Sequence, residues 1–324
     1  MYAVMISWRQ IDCRPLCIFY AKPDFVLTGR SYRSRGGKQF AFTDSQYADD
    51  TALLFPTRLS LEQTAPHLIR HFSKFGLSIH VGTESIKSKT VTLFVSAPLH
   101  TYEDPVTFDN QNLSDIVLSH DSFLPIVDEF CYLGSIITRD CSDDRDVLER
   151  IKKASNAFGA LRKIIFANRN VAISTKKYVY ESLILPILLY GTEAWSLTEK
   201  LYHKLRVFHH SCLRVMNRIT RLQTWENRIS NQDLLYRMNL LEIDTYIVKR
   251  QLQWAGHVSR MDFDRLPRKM LSCWVRNKRP IGCPRFTYGR GLSKALKKAN
   301  IDVSVWSDLA SERNTWRKLL NALT

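Results

Sequence analysis

Asp49 and Asp50 are the residues of this sequence most able to do chemistry. They sit in GGKQFAFTDSQYADDTALLFPT, where two apolar or aromatic stretches flank an Ala48-Asp49-Asp50 centre with turn propensity. That pattern predicts a β-hairpin with two carboxylates at its tip. In a regular strand neighbouring side chains point to opposite faces, so only a turn brings both acids toward one site. Two adjacent carboxylates repel unless a cation lies between them. Hard oxygen ligands suit Mg²⁺ or Mn²⁺, and a pair of such ions can activate a hydroxyl and stabilise a leaving pyrophosphate. The plain alternative is that Asp-Asp simply makes a good turn. His209, His210 and His257 lack partners at metal-ligand spacing and read as helix-face or packing residues.

The elements around the acids follow from periodicity. Ser60 to Phe75 places Leu61, Ala65, Leu68, Phe72 and Phe75 at helical spacing behind a Ser60 cap, and stops at Gly76. Leu77 to Thr138 alternates β-type runs (LSIHV, TVTLFV, PVTF, DEFCYLGSIIT) with polar turns such as 109–112, which predicts a small antiparallel sheet. Beyond Ser142 come three long helical segments, from Ser142 to Ile165, Ser174 to Trp195 and Leu197 to Thr220. Asp143, Asp144 and Asp146 suit the start of the first, and Lys152, Lys153, Arg162 and Lys163 its later part. The class is α+β followed by all-α: a sheet unit over 1–140, a helical unit over 141–222, and a basic helical region over 223–324 with an exposed arm near 276–298.

The 324 residues carry a net charge of +16, unevenly placed. Residues 1–150 hold 15 Lys and Arg against 19 Asp and Glu, whereas residues 151–324 hold 32 against 12. Such asymmetry points to a polyanion, because each phosphate neutralised releases condensed counterions. The ordinary alternative is a set of solvated helix faces. Lys176, Lys177, Lys200, Lys204, Arg206, Arg214, Arg218 and Arg221 lie on the predicted helices, and Arg276, Lys278, Arg279, Arg285, Arg290, Lys294, Lys297 and Lys298 fill the arm. Trp195, Trp225, Trp254 and Trp274 could stack on bases, but helical tryptophans are more often core; Phe286 and Tyr288, inside the arm, are better candidates. The longest apolar run, Ser182 to Tyr190, is too short to span a bilayer, so no membrane partner is expected. Seven scattered cysteines do not form a disulfide framework or a zinc pattern, and the N-terminus lacks a secretory pattern, so a reducing intracellular compartment is expected.

YADDTALLF resembles the turn that marks the palm active site of reverse transcriptases. FGLSIHVGTESIKSKT at 75–90, FCYLGSIIT at 130–138, LLYGTEAWSLTEKLYHKLRVFHHSCLRVM at 188–216, QLQWAGHVSRM at 251–261 and WSDLASERNTWRKLL at 306–320 resemble later blocks of the non-LTR retrotransposon enzymes, in order. The resemblance implies a partial palm, an antiparallel sheet with the YADD hairpin and a helix, then a helical thumb and a basic C-terminal region. It implies RNA-directed DNA polymerase chemistry with Mg²⁺ or Mn²⁺, on an RNA template and DNA primer, in a nuclear setting. Asp49 would be the principal metal ligand with Asp50 beside it, and Tyr47 would lie at the primer terminus. Lys89, with Lys87 as competitor, would approach the incoming triphosphate, and Tyr132, Leu133 and Gly134 would form the primer-grip turn.

The departures are also informative. The family holds its ions with a further aspartate from an earlier palm strand, and the residues before Tyr47 offer only Asp12, Asp24 and Asp44. WRQIDCRPL at 8–16 resembles a worn form of a nucleotide-contacting block, with Ile11 where the family has glycine. A fragment inactive alone is therefore expected, with another chain supplying the fingers and upstream palm. A nucleic-acid-binding remnant without catalysis and a decayed reading frame are the rival readings.

Overall fold

The structure is a computed structural model and describes residues 2–8, 19–21, 38–40, 44–48, 50–55, 57–83, 85–95, 114–275 and 288–323. The chain divides into two compact units, with the main division between Arg145 and Asp146.

The first unit is built from β1 (Tyr2–Trp8), β2 (Phe19–Ala21), β3 (Lys38–Phe40), β4 (Asp44–Tyr47), β5 (Asp50–Phe55), α1 (Arg58–Ser73), β6 (Val91–Val95), β7 (Ile116–Ser119), β8 (Ser122–Leu124), β9 (Ile126–Val127), β10 (Glu129–Tyr132) and β11 (Ser135–Thr138). Its main sheet runs β4-β5-β1-β6-β9. Only the β4–β5 pair in it is antiparallel; β1 runs parallel to both β5 and β6, and β6 parallel to β9. The pairing thus differs from the antiparallel sheet expected over 77–138, where antiparallel hairpins are formed by β7–β8 and β10–β11. The reason lies in β6, whose last four residues are all buried, the mark of a strand covered on both faces, which suits parallel pairing.

Both faces of this sheet can be followed by alternation. Leu53 and Phe55 of β5 pack with Leu61 and Ala65 of α1, while Ala52 joins Leu93, Val95 and Phe130 on the other side. Burying each such aliphatic or aromatic side chain is worth roughly 1.5–3 kcal/mol. Helix α1 is capped by Thr57, not by Ser60: the Thr57 hydroxyl accepts from the Ser60 amide at 3.1 Å. Gly76, at φ 73°, then turns the chain out of the helix.

The second unit is helical: α2 (Asp144–Leu161), followed by a π turn; α3 (Ile173–Val179), a second π turn and α4 (Leu185–Leu188); then α5 (Glu199–Asn217), α6 (Arg221–Glu226), α7 (Asn231–Met238), α8 (Ile243–Ser259), α9 (Leu266–Leu271), α10 (Tyr288–Lys298), α11 (Trp306–Ser311) and α12 (Arg313–Asn321). Pro186, which has no amide proton to donate, follows directly on the second π turn inside a continuous helical run.

Two cores fill this unit. The first gathers Val147 to Ile247, with Phe158 stacked on Phe166 at 4.2 Å between ring centres, and so crosses position 222. The second gathers Val248 to Leu320 around Trp306 and Trp316. Helix α8 serves both, Ile243 and Ile247 in the first and Leu252, Ala255 and Val258 in the second. Among the described residues no helix is long and apolar enough to cross a membrane.

Candidate active site and nucleic-acid surface

The YADD hairpin is formed by β4 and β5, with Tyr47 opposite Asp50. That pair leaves a two-residue loop, and its first residue, Ala48, has φ 53°, as tight hairpin turns require. Tyr47 is 67% exposed and Asp50 half-buried. Asp49, the expected principal ligand, lies outside the described residues, as do Ile11, Asp12 and Asp24. Asp44 pairs with Leu53, three residue steps from Tyr47 and so about 10 Å along the strand. Among the described residues no three or more His, Cys, Asp or Glu converge on a point that could hold a metal. Mg²⁺ takes about six oxygen donors and is commonly held by one or two carboxylates, with waters and substrate phosphates completing the shell. Of the two expected ligands, Asp50 is the one among the described residues.

The second hairpin, β10–β11, pairs Tyr132 with Ser135 across Leu133 and Gly134. Both loop residues have positive φ, 48° and 85°, the type I′ pattern. Gly134 adopts this freely, but Leu133 does so against its Cβ and is 40% exposed. The structure ties this hairpin to the YADD hairpin: Tyr132 Oη donates to the Ser45 carbonyl at 3.2 Å and reaches its hydroxyl at 3.4 Å. Phe130, beside Tyr132, anchors the hairpin in the core under β5 and β6.

Lys89 and Lys87 are both exposed, on the loop that enters β6. The backbone there is fixed by Ser88, buried and donating to the Thr90 carbonyl at 2.5 Å, and by His80, whose Nδ1 accepts from the Lys89 amide at 3.3 Å. The Thr90 and Thr92 hydroxyls beside it are buried without a hydrogen-bond partner among the described residues.

The basic candidates separate into three groups. Lys176, expected from the sequence to meet phosphate, is instead 3% exposed and donates to the Met216 carbonyl at 3.4 Å, near the negative end of α5. Burial, and then the nearby Arg218, push its pKa down. Lys294 and Lys298 are engaged by acids: Lys294 with Glu199, and Lys298 with Asp244 at 2.8 Å, where Arg206 also binds. Burial alone would raise the Asp244 pKa, but bonds from Arg206 and Lys298 hold it below the usual range. Lys294 is thus a brace between α10 and α5, not an open phosphate contact. Arg214, Arg218 and Lys177 remain at or near the surface around the end of α5 and on α3.

Arg279, Arg285 and Phe286 lie outside the described residues. From Tyr288 the expected arm is a helix, in which Arg290 is half-buried and Leu292, Ala295 and Leu296 are core. Tyr288 packs on the second core, and burial raises its pKa to about 12, so it is not an open stacking platform. Sequence reasoning missed two things here. Asp146, read as a helix-start acid, is 4% exposed and accepts from Trp195 Nε1 at 2.8 Å. Trp225, grouped with core tryptophans, is 79% exposed.

No protein-family model matches the chain, and no solved structure matches it. Among curated proteins it is similar to a putative uncharacterized transposon-derived protein of Caenorhabditis elegans, 26% identical over 289 residues that cover 87% of this chain and 96% of that protein.

Proposed function

We propose that this chain is a transposable-element protein of the non-LTR reverse-transcriptase type, one that holds an RNA template and DNA primer and does not polymerise by itself. The observation that supports this best is the Tyr132 to Ser45 hydrogen bond, which joins the two hairpins resembling the polymerase turn and the primer grip. Elements that share a primer terminus must be held in fixed register, since small misplacements of a reacting end are costly. The similarity to a transposon-derived protein supports the transposable-element part of the reading. In it, Asp49 and Asp50 carry metal-ligand ancestry. Tyr47 and Leu133 face the primer end, and Lys89 the triphosphate side.

The test is primer extension on an RNA template with Mg²⁺ or Mn²⁺, comparing the chain with an Asp49→Ala, Asp50→Ala variant. Neither is expected to extend, while both bind template-primer with an affinity that falls steeply with salt. Extension that the double variant abolishes would make the chain a complete polymerase. Absence of template-primer binding would remove the reading altogether.

A further inference from the structure

The segment from Ile219 to Ile229 leaves the helical unit and returns to it. Both isoleucines pack against the first core, so the excursion is pinned at its two ends. Between them α6 buries no side chain. A helix of this length gains almost nothing by itself. It is held by a capping box, in which the Thr220 hydroxyl accepts from the Gln223 amide at 3.2 Å and Gln223 Oε1 accepts from the Thr220 amide at 2.9 Å.

Its apolar residues point outward. Trp225 is 79% and Leu222 62% exposed, and an indole left in water forgoes the largest burial gain of any side chain. Trp225 also lines an open cleft of about 500 Å³ with Thr224, Glu226, Arg228, Ile229 and Ser230. Arg221 lies four residues before Trp225 and shares its face.

The charge around this aromatic is left uncompensated. Arg221 lies close enough to Arg214 to lower its pKa, after the larger effect of burial, and Arg218 acts likewise on Lys176. Arg214, Arg218 and Arg221 form no ion pair with a carboxylate among the described residues, in contrast to Arg206, Lys294 and Lys298, which Glu199 and Asp244 neutralise. Glu226 is the acid on α6 itself. Like charges gathered without counter-charge are relieved by a polyanion. An exposed ring in an open cleft reaches an unpaired base, whereas bases stacked inside a duplex offer it no face.

We propose that Arg214, Arg218, Arg221 and Trp225 form a landing site for single-stranded nucleic acid, the indole stacking on one unpaired base and the guanidinium groups holding the flanking phosphates. The site refines the reading above by naming single strands as its ligand, and rests on that reading only in expecting a nucleic acid.

The test uses the full chain and a fluorescein-labelled oligouridylate, free or annealed as a duplex, with binding followed by anisotropy across a salt titration. Trp225→Ala is expected to weaken oligouridylate binding about tenfold with little change for the duplex, and Trp225→Phe to restore most of it. Its salt dependence should match the wild type, whereas Arg218→Ala with Arg221→Ala should flatten the slope of log K against log salt by about 0.7 per lost phosphate contact. Equal melting curves of the variants by circular dichroism establish that the fold is intact. Unchanged oligouridylate affinity in Trp225→Ala overturns the site, and so does a change in sedimentation that makes the patch a contact between copies. If template-primer still binds in those cases, the broader reading survives; if the wild type binds no nucleic acid, both fall.

Discussion

Tyr132 Oη donates to the carbonyl oxygen of Ser45 at 3.2 Å, a side chain on one hairpin reading the backbone of another 87 residues earlier. The ring of Tyr132 stays beside Phe130 whether or not the hydroxyl is present. Tyr132→Phe should therefore cost about 1 kcal/mol or less in a denaturant titration, the usual net worth of such a bond. If the two hairpins hold one primer, template-primer affinity should fall in the same variant; wild-type affinity would separate the bond from binding.

Leu133 occupies left-handed backbone at φ 48°, where its Cβ crowds the following carbonyl at a cost of roughly 1–2 kcal/mol. Asparagine tolerates that region. Leu133→Asn should raise the midpoint of a urea titration, by an amount equal to about 0.5–1 kcal/mol of stability. A lower midpoint would mean that the leucine contributes contacts worth more than its strain.

Asp146 is buried, accepts from Trp195 Nε1, and lies 3.8 Å from Arg150, itself 6% exposed and stacked over the Tyr190 ring. Asp146→Ala removes the acid beside a buried guanidinium together with the acceptor of the Trp195 Nε1–H, which typically costs about 3–5 kcal/mol. Urea unfolding followed at the helical signal gives the number. A loss below about 1 kcal/mol would mean the site is wet or relaxes freely.

His209 is fully buried, with Tyr180 Oη at 2.8 Å from Nδ1 and the Leu241 carbonyl at 3.0 Å from Nε2. Burial, outweighing the bond to Leu241, lowers its pKa from 6.5 to about 4. The folded state thus resists a proton that the unfolded chain accepts. Above pH 6.5 neither state is protonated and this group imposes no penalty; as pH falls from about 6.5 to about 4, stability should drop by about 1.4 kcal/mol per unit, then level off. Stability measured across that window in wild type and His209→Gln isolates the effect. A parallel pair of curves would contradict it.

Gly256 on α8 lies against the indole of Trp316, whose Nε1 donates to the Leu252 carbonyl at 3.0 Å. A Cβ at position 256 would overlap that ring. Gly256→Ala should cost about 1–3 kcal/mol despite its better helix propensity. A stabilised variant would show that α12 can shift without loss.

Local signals were readable and distant ones were not. Helix α1 follows from the spacing of Leu61 and Ala65, and the hairpin at Tyr47 to Asp50 from its turn. The cap was misplaced at Ser60 because Thr57 and Ser60 are both good caps, and only the geometry of the first turn decides between them. The parallel pairing of β1 with β5 and β6 was illegible, because short apolar runs carry no record of their partners. Lys176 and Trp225 were exchanged in role for one reason: charge and aromaticity do not say which face of a helix meets the core. A lysine can be buried if its ammonium finds a helix's last carbonyls, and a tryptophan can stand in water on a helix that has no core to face.

The ends of the five-stranded sheet bear on how crowded copies of this protein behave. At one end β4 carries Asp44 and exposed Ser45 and Tyr47; at the other, β9 is only two residues long and follows Pro125, which has no amide to donate. A growing fibril needs a long, flat, uncharged row of free amides and carbonyls to template the next strand. Neither end supplies one, so this sheet is guarded against adding a neighbour's strand at its edges.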